Sequence, residues 1–331
     1  MIERSPVGVL VLAYGSPDDP TDDAQLEAYL HHILNEYAPE GKTIEKVPPP
    51  AIADLKRRYQ TIGKGSPLLD ITRRQAKALE TWINGTGGVA GRSVRTVVGM
   101  KHFPPWIADA VKELASAGLR DAVSLVMAPH YSRISVGGYQ RAVKEANEAL
   151  ETPLRIRAVE SWHTEPKFID VLVARVQAAL DRAGWALVET TIIFSAHSLP
   201  ERALERKDPY PKQLEETAKL VAHGLGVASW TLGAASWILA YQSEGRGHEP
   251  WLGPSVAKTI GRLADEGVKR VLVCPIGFVA DHLEILYDLD IECQEAAKEK
   301  GVELRRTESL NDDPAFIDAV ADVVRRAWSP A

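Results

Sequence analysis

The sequence predicts an α/β protein: two similar doubly wound domains, each a four-stranded parallel sheet flanked by helices, with a cleft between them. Three observations predict it. Short apolar runs alternate with long amphipathic segments, the pattern of βα units around a parallel sheet. The strand candidates fall into two groups of four, divided near residues 161–166. A chain of 331 residues is too long for one typical hydrophobic core and suits two domains or one large α/β domain.

In chain order the strand candidates are "VGVLVLAYG", "VRTVVGMKH", "AVSLVMAPH", "LRIRAVES", "TTIIFSAHS", "TLGAASWILAYQS", "KRVLVCPIGF" and "VELRRTES". Helical patterns occupy 68–84, 104–117, 136–150, 166–182, 211–224, 255–266, 281–300 and 314–328. Proline at or just before the start of several of these is tolerated, because a first-turn N–H has no helical partner. The expected division is 1–160 for one Rossmann-like domain, 161–308 for a second, and 309–331 for a C-terminal helix packing back on the first.

Bulk composition excludes several classes. Hydrophobic content of 45% and charged content of 25% are ordinary for a soluble enzyme. A net charge of −6 argues against nucleic acid as the main partner. Cys274 and Cys293 stand far apart, so a disulfide framework, structural zinc and a cysteine-held iron–sulfur cluster are not expected. The apolar run near the start is too short for a signal peptide, and no stretch approaches the roughly 20 apolar residues of a membrane span. A cytoplasmic, soluble chain without stable membrane insertion is expected. "AYGSPDDP" lacks the glycine pattern of a dinucleotide site, and "GTGGVAG" follows a helix, as a linker would.

Ligands of doubly wound sheets sit outside the carboxyl ends of the strands. Tyr14, His102, His130, His197, Gln242–Glu244 and the segment after Cys274 occupy such ends. His197 in "FSAHSLP" suits acid–base work or metal ligation, although a strand-end histidine can also simply bond a neighbouring backbone group. The run "VCPIGFVADHLEILYDLDIEC" carries Glu284, Asp288 and Glu292 at i, i+4 and i+8, a carboxylate stripe on one helical face. A π-type widening aligns the three better than a regular α-helix does. Such a stripe is most often a solvated outer face.

The segments "VLAYGSP", "GSPLLDITRRQA", "MAPHYSRISVGGY", "ESWHTEPKFI", "SAHSLPER", "DPYPKQLEETAKL", "QSEGRGHEPWLGPSV" and "GFVADHLEILYDLDIEC" resemble the ferrochelatases, in this order and over nearly the whole chain. The short form with tyrosine in "VLAYG" is most similar to the soluble coproporphyrin III ferrochelatases of Gram-positive type. The resemblance implies insertion of Fe²⁺ into coproporphyrin III in haem biosynthesis, a lyase reaction on a porphyrin held in the interdomain cleft, with iron as substrate and no organic cofactor. It assigns metal binding or pyrrole proton removal to His197 and Glu284, in the second domain, and a metal or proton path to Asp288 and Glu292. It places Tyr14 over the opposite porphyrin face as an axial ligand to product iron. It places Arg58, Tyr59, Ser66 and Tyr139 on the propionate side. Transient contact with neighbouring haem-pathway enzymes is a further implication.

One departure bears on substrate choice. Related enzymes carry an arginine pair where this chain has Leu34 and Asn35. Lys42 or Lys46 supplies the replacement cation in one reading; in the other, a propionate is left to solvent. The repeated "ASW" of the long stretch before the sixth strand reads as a surface loop. Two alternatives to coproporphyrin metallation remain: the same chemistry on protoporphyrin IX, and haem or porphyrin binding without catalysis. Residue types do not divide the base and ligand roles between His197 and Glu284, choose among Fe²⁺, Co²⁺ and Zn²⁺, or fix the oligomeric state.

Overall fold

The first apolar run, Val7–Ala13, becomes a wholly buried strand β1. It is followed by α1 (Asp23–Glu36), α2 (Pro49–Thr61), α3 (Leu68–Gly85), β2 (Val94–Met100), α4 (Ile107–Ser116), β3 (Asp121–Val126), α5 (Val136–Glu148) and β4 (Arg155–Ala158). The second half runs α6 (Pro166–Ala183), β5 (Thr191–His197), α7 (Tyr210–Gly224), β6 (Ser236–Gln242), α8 (Val256–Asp265) and β7 (Arg270–Cys274). A π-helix (Glu284–Glu292), α9 (Cys293–Glu299), β8 (Glu303–Arg306) and α10 (Pro314–Trp328) complete it. This computed structural model describes residues 5–38, 41, 43–63, 65–202, 207–227, 236–245 and 249–328.

Both sheets are parallel and share one topology, β2-β1-β3-β4 and β6-β5-β7-β8. In each, the first strand of the half lies inside the sheet, so its carboxyl end opens where the strand order reverses.

The twofold period of the strands sorts side chains between an inner and an outer core. In β1, Val7, Val9 and Val11 face a core that also contains Phe168 and Phe316, while Leu10 and Leu12 face α4 and α5. In β5, Ile192, Phe194 and Ala196 join the same inner core, and Ile193 faces α8 and the π-helix. Helices α6 and α10 therefore carry a continuous apolar core between the sheets. Helix α10 packs on α3 and α6, and Trp328 near its end lies under Arg92 and Arg157, 5.4 and 4.4 Å from ring centre to guanidinium.

The helical patterns of the sequence leave out α1 and α2. Each buries only two residues, Leu26 and Tyr29 in one and Leu55 and Tyr59 in the other, so neither shows a strong apolar stripe. They pack on each other as a small cluster that touches Tyr14, Phe103 and Leu283, and so roof the cleft. The expected helix over 281–300 is a π-helix followed by α9, the Cys293 N–H reaching back to the Asp288 carbonyl. No helix among the described residues is long and apolar enough to cross a membrane.

Candidate active site

His197 is the last residue of β5 and lies in register with Gln242 of β6. Three bonds fix its surroundings. Nδ1 bonds the Ser198 carbonyl, the Tyr210 hydroxyl donates to the His197 carbonyl at 3.0 Å, and the Ser198 N–H donates to the Gln242 carbonyl at 2.8 Å. The free ring nitrogen, Nε2, points across to Glu284 Oε1 at 3.3 Å.

Glu284 opens the π-helix. Its second oxygen lies 3.5 Å from His282 Nε2, and its backbone carbonyl accepts from the Gln242 side chain at 3.1 Å. Burial alone disfavours charge on either partner, but the pair resolves this by ionising together. The carboxylate lifts the His197 imidazole to a pKa of about 9, and His197 with His282 holds Glu284 well below the usual carboxylate range.

The stripe runs outward from this pair. Asp288 is buried, accepts the Ser243 hydroxyl and meets Arg58 Nη1 at 3.3 Å, while Glu292 is exposed. Burial first, then the charges of Glu284 and Glu292, push the Asp288 carboxyl up to about 7. A carboxyl at that position can take and release a proton near neutrality.

The facing wall comes from the first sheet. Tyr14 follows β1 and stacks on His102 with ring centres 4.3 Å apart. Tyr59 and Tyr139 are buried, and Ser66 accepts the Leu68 N–H at 3.4 Å near the start of α3. Burial raises the hydroxyls of Tyr14, Tyr29, Tyr37, Tyr59 and Tyr139, and the Glu284 charge adds to the rise at each, as groups around one cavity would show. Lys101, 3% exposed, sits 5.2 Å from the rings of both Tyr37 and Tyr139 and pairs with Glu36 at 2.9 Å.

The structure thus brings His197, Glu284 and Asp288 together, and the Glu284 charge acts on Tyr14, Tyr59 and Tyr139. Arg58 reaches Asp54 and Asp288, on the carboxylate side. Glu292 lies at the solvent end. Asn35 is committed to the backbone, its amide bonding Ile44 N–H and C=O at 2.8 and 3.0 Å. Lys46 is exposed, and Lys42 lies outside the described residues, as does the repeated "ASW" segment.

Residue-by-residue reading places Gln242 at a strand end and His282 on the acidic helix without giving either a role, takes Trp251 for a scattered aromatic, and misses Phe278. Phe278 and Trp251 place their rings 6.4 and 6.5 Å from His197. Trp251 fits because position 245 is glycine: a Cβ there would stand 2.2 Å from the indole. Only the unbroken family motifs around these residues could have signalled them. Among the described residues, no group of three or more His, Cys, Asp or Glu side chains forms a metal cage. For His197 to act as a ligand it must first give up its proton.

The fold is shared with solved chelatases. CbiX, the terminal enzyme for biosynthesis of siroheme in denitrifying bacteria, superposes with a TM-score of 0.54 at 13% identity, covering 97% of this chain and all of its own. The sirohydrochlorin chelatase SirB from Bacillus subtilis subspecies spizizenii gives 0.54 at 8% identity, covering 97% and 95%. The likeness is one of fold: two parallel sheets flanked by helices.

Sequence comparison is more specific. Residues 6–328 match the family profile described as ferrochelatase. The coproporphyrin III ferrochelatase of Bacillus subtilis is 42% identical over 325 residues, 98% of either chain. That of Geobacillus kaustophilus is 40% identical over 99% of this chain and 98% of its own. A protein named simply ferrochelatase, from Deinococcus radiodurans, is 38% identical over 98% and 97%. The chain belongs to the ferrochelatase family.

Proposed function

We propose that the protein inserts Fe²⁺ into coproporphyrin III to give Fe-coproporphyrin III (coprohaem), as a lyase of haem biosynthesis. The observation that carries this reading is the His197–Glu284 pair, partly exposed and continued by buried Asp288 and exposed Glu292 on the same helix. The names of relatives at about 40% identity support the porphyrin.

The residues suit the task. Metallation must strip water from Fe²⁺, remove two pyrrole N–H protons and bend a flat ring. Imidazole and carboxylate are ligands Fe²⁺ accepts, and two ligands hold the ion weakly enough to release it to four ring nitrogens. Once His197 is deprotonated, either it or Glu284 can instead serve as base for a pyrrole N–H, with the other holding or relaying charge. Asp288, poised near neutrality, passes the pyrrole protons toward exposed Glu292. Tyr14 is the residue we propose for the opposite face, as axial ligand to product iron. Tyr59, Ser66 and Tyr139 hold the propionates, and Arg58, bonded to Asp54 and Asp288 here, joins them only by leaving these carboxylates, so remote binding energy offsets the cost of ring distortion. No organic cofactor enters this reaction. Substrate and product exchange in the cytoplasm, in transient contact with neighbouring haem-pathway enzymes.

The test separates enzyme from carrier. A His197→Ala variant should bind coproporphyrin III as the wild type does and fail to metallate it under anaerobic Fe²⁺. Full metallation by this variant would overturn the role given to His197, and binding of porphyrin without metallation by the wild type would leave only a carrier.

A further inference from the structure

A buried carboxylate just ahead of α7 joins the two walls of the cleft. Asp208 is 9% exposed. Its Oδ2 accepts from the Ser132 hydroxyl at 3.0 Å and from the Arg133 N–H at 2.8 Å, and its Oδ1 accepts from the Tyr210 N–H at 3.0 Å. Ser132 and Arg133 belong to the turn that leads from β3 into α5, the helix bearing Tyr139. Tyr210, buried, sends its hydroxyl back to the His197 carbonyl at 3.0 Å. Beside this chain, the Gln213 side chain accepts the Tyr131 N–H at 2.7 Å, and His130 and Thr217 bond at 2.8 Å.

We infer that Asp208 is a positioning residue for metallation: by bonding the Ser132–Arg133 turn and Tyr210 together, it sets where His197 stands relative to the Tyr139 wall. The inference rests on the metallation reading above. Its physical basis is the chemistry of the three donors. A carboxylate is acceptor-only, so one side chain satisfies two N–H groups and a hydroxyl without presenting a donor of its own. Bonds to a charged acceptor are roughly twice as strong as neutral ones. Asparagine cannot substitute, because one face of its amide must turn an NH₂ toward an N–H. Rotation of the Asp208–Tyr210 segment moves the hydroxyl that holds the His197 peptide, and a displacement of about 1 Å at a reacting group costs on the order of 100-fold in rate.

The experiment uses the full chain, anaerobic Fe²⁺ and coproporphyrin III, with Tyr210→Phe, Asp208→Asn and the double variant. Tyr210→Phe keeps the buried ring and deletes only the hydroxyl. It should lower kcat about tenfold, with porphyrin KM within about twofold and melting unchanged. Asp208→Asn should lower kcat by about 10- to 100-fold, and the double variant should fall no further, because both changes act through the His197 peptide. A wild-type kcat in Tyr210→Phe, or losses that multiply in the double variant, would overturn the inference. If Asp208→Asn fails to fold, Tyr210→Phe alone decides. Wild-type protein that metallates neither coproporphyrin nor protoporphyrin would overturn the function itself; active wild type with unaffected variants overturns only the role of Asp208.

Discussion

Glu284 Oε1 lies 3.3 Å from His197 Nε2, and each group holds the other in its charged form. The resting pair is therefore an ion pair, and a metal ion must displace a proton to use both ligands.

The pH dependence follows in sign. His197 has its pKa raised from 6.5 to about 9, so its part of the stabilisation is complete below 6.5 and disappears as pH rises through about 9. Glu284 is held below its ordinary value, so its part is present above that value and lost as pH falls through the depressed one. Metal binding has the opposite trend to the His197 contribution. Affinity of the porphyrin-free protein for Co²⁺ should rise about tenfold per pH unit on approaching pH 9. In Glu284→Gln the rise should level off nearer pH 6.5, with weaker binding throughout. Calorimetric titration across pH checks both; a flat profile in the wild type would mean that His197 is neutral at rest.

Asp288 behaves oppositely to an ordinary paired carboxylate. Its pKa is raised to about 7, chiefly by burial, so ionisation at higher pH works against the fold. Asp288→Asn should melt higher than the wild type at pH 8 by about 1–3 kcal/mol, a gain that fades as pH falls toward 4. The same variant should metallate about 100-fold more slowly while binding porphyrin normally. Paired melting curves and rate assays test the two halves separately.

Position 138 illustrates how tightly the tyrosine wall is packed. A Cβ at Gly138 would stand 2.5 Å from Lys101 Nζ and 3.1 Å from Glu36 Oε1. Gly138→Ala should displace this buried ion pair and cost about 1–3 kcal/mol, measurable by urea unfolding. An unchanged midpoint would show that the Lys101 side chain has room to move.

Much of the frame was legible in the sequence, because strands covered on both faces stay apolar throughout their length. Val7–Ala13 and the run ending at His197 are such segments. Helices α1 and α2 were not, since two buried residues apiece leave no stripe to detect. The spacing of Glu284, Asp288 and Glu292 admitted a solvated face; burial of Asp288 and widening of the helix show that the middle of the stripe is interior. Contacts such as Arg58 to Asp288 span 230 positions and arise only from the packing of α2 on the π-helix side of the cleft.

The substituted arginine pair bears on porphyrin affinity. Asn35 is occupied with Ile44, so on the proposed function a propionate bound on that side would depend on other cations. Replacing Lys42 and Lys46 together by alanine should weaken coproporphyrin III binding by about two- to tenfold, the scale of exposed ion pairs. Fluorescence titration that finds unchanged affinity would assign that propionate to solvent.

The most direct measurement is anaerobic spectrophotometry of the purified protein with Fe²⁺, comparing coproporphyrin III with protoporphyrin IX in detergent-free buffer. Faster loss of the free-base spectrum with coproporphyrin III is the predicted result. Faster metallation of protoporphyrin IX would contradict the substrate, and binding of either porphyrin without metallation would contradict the enzyme.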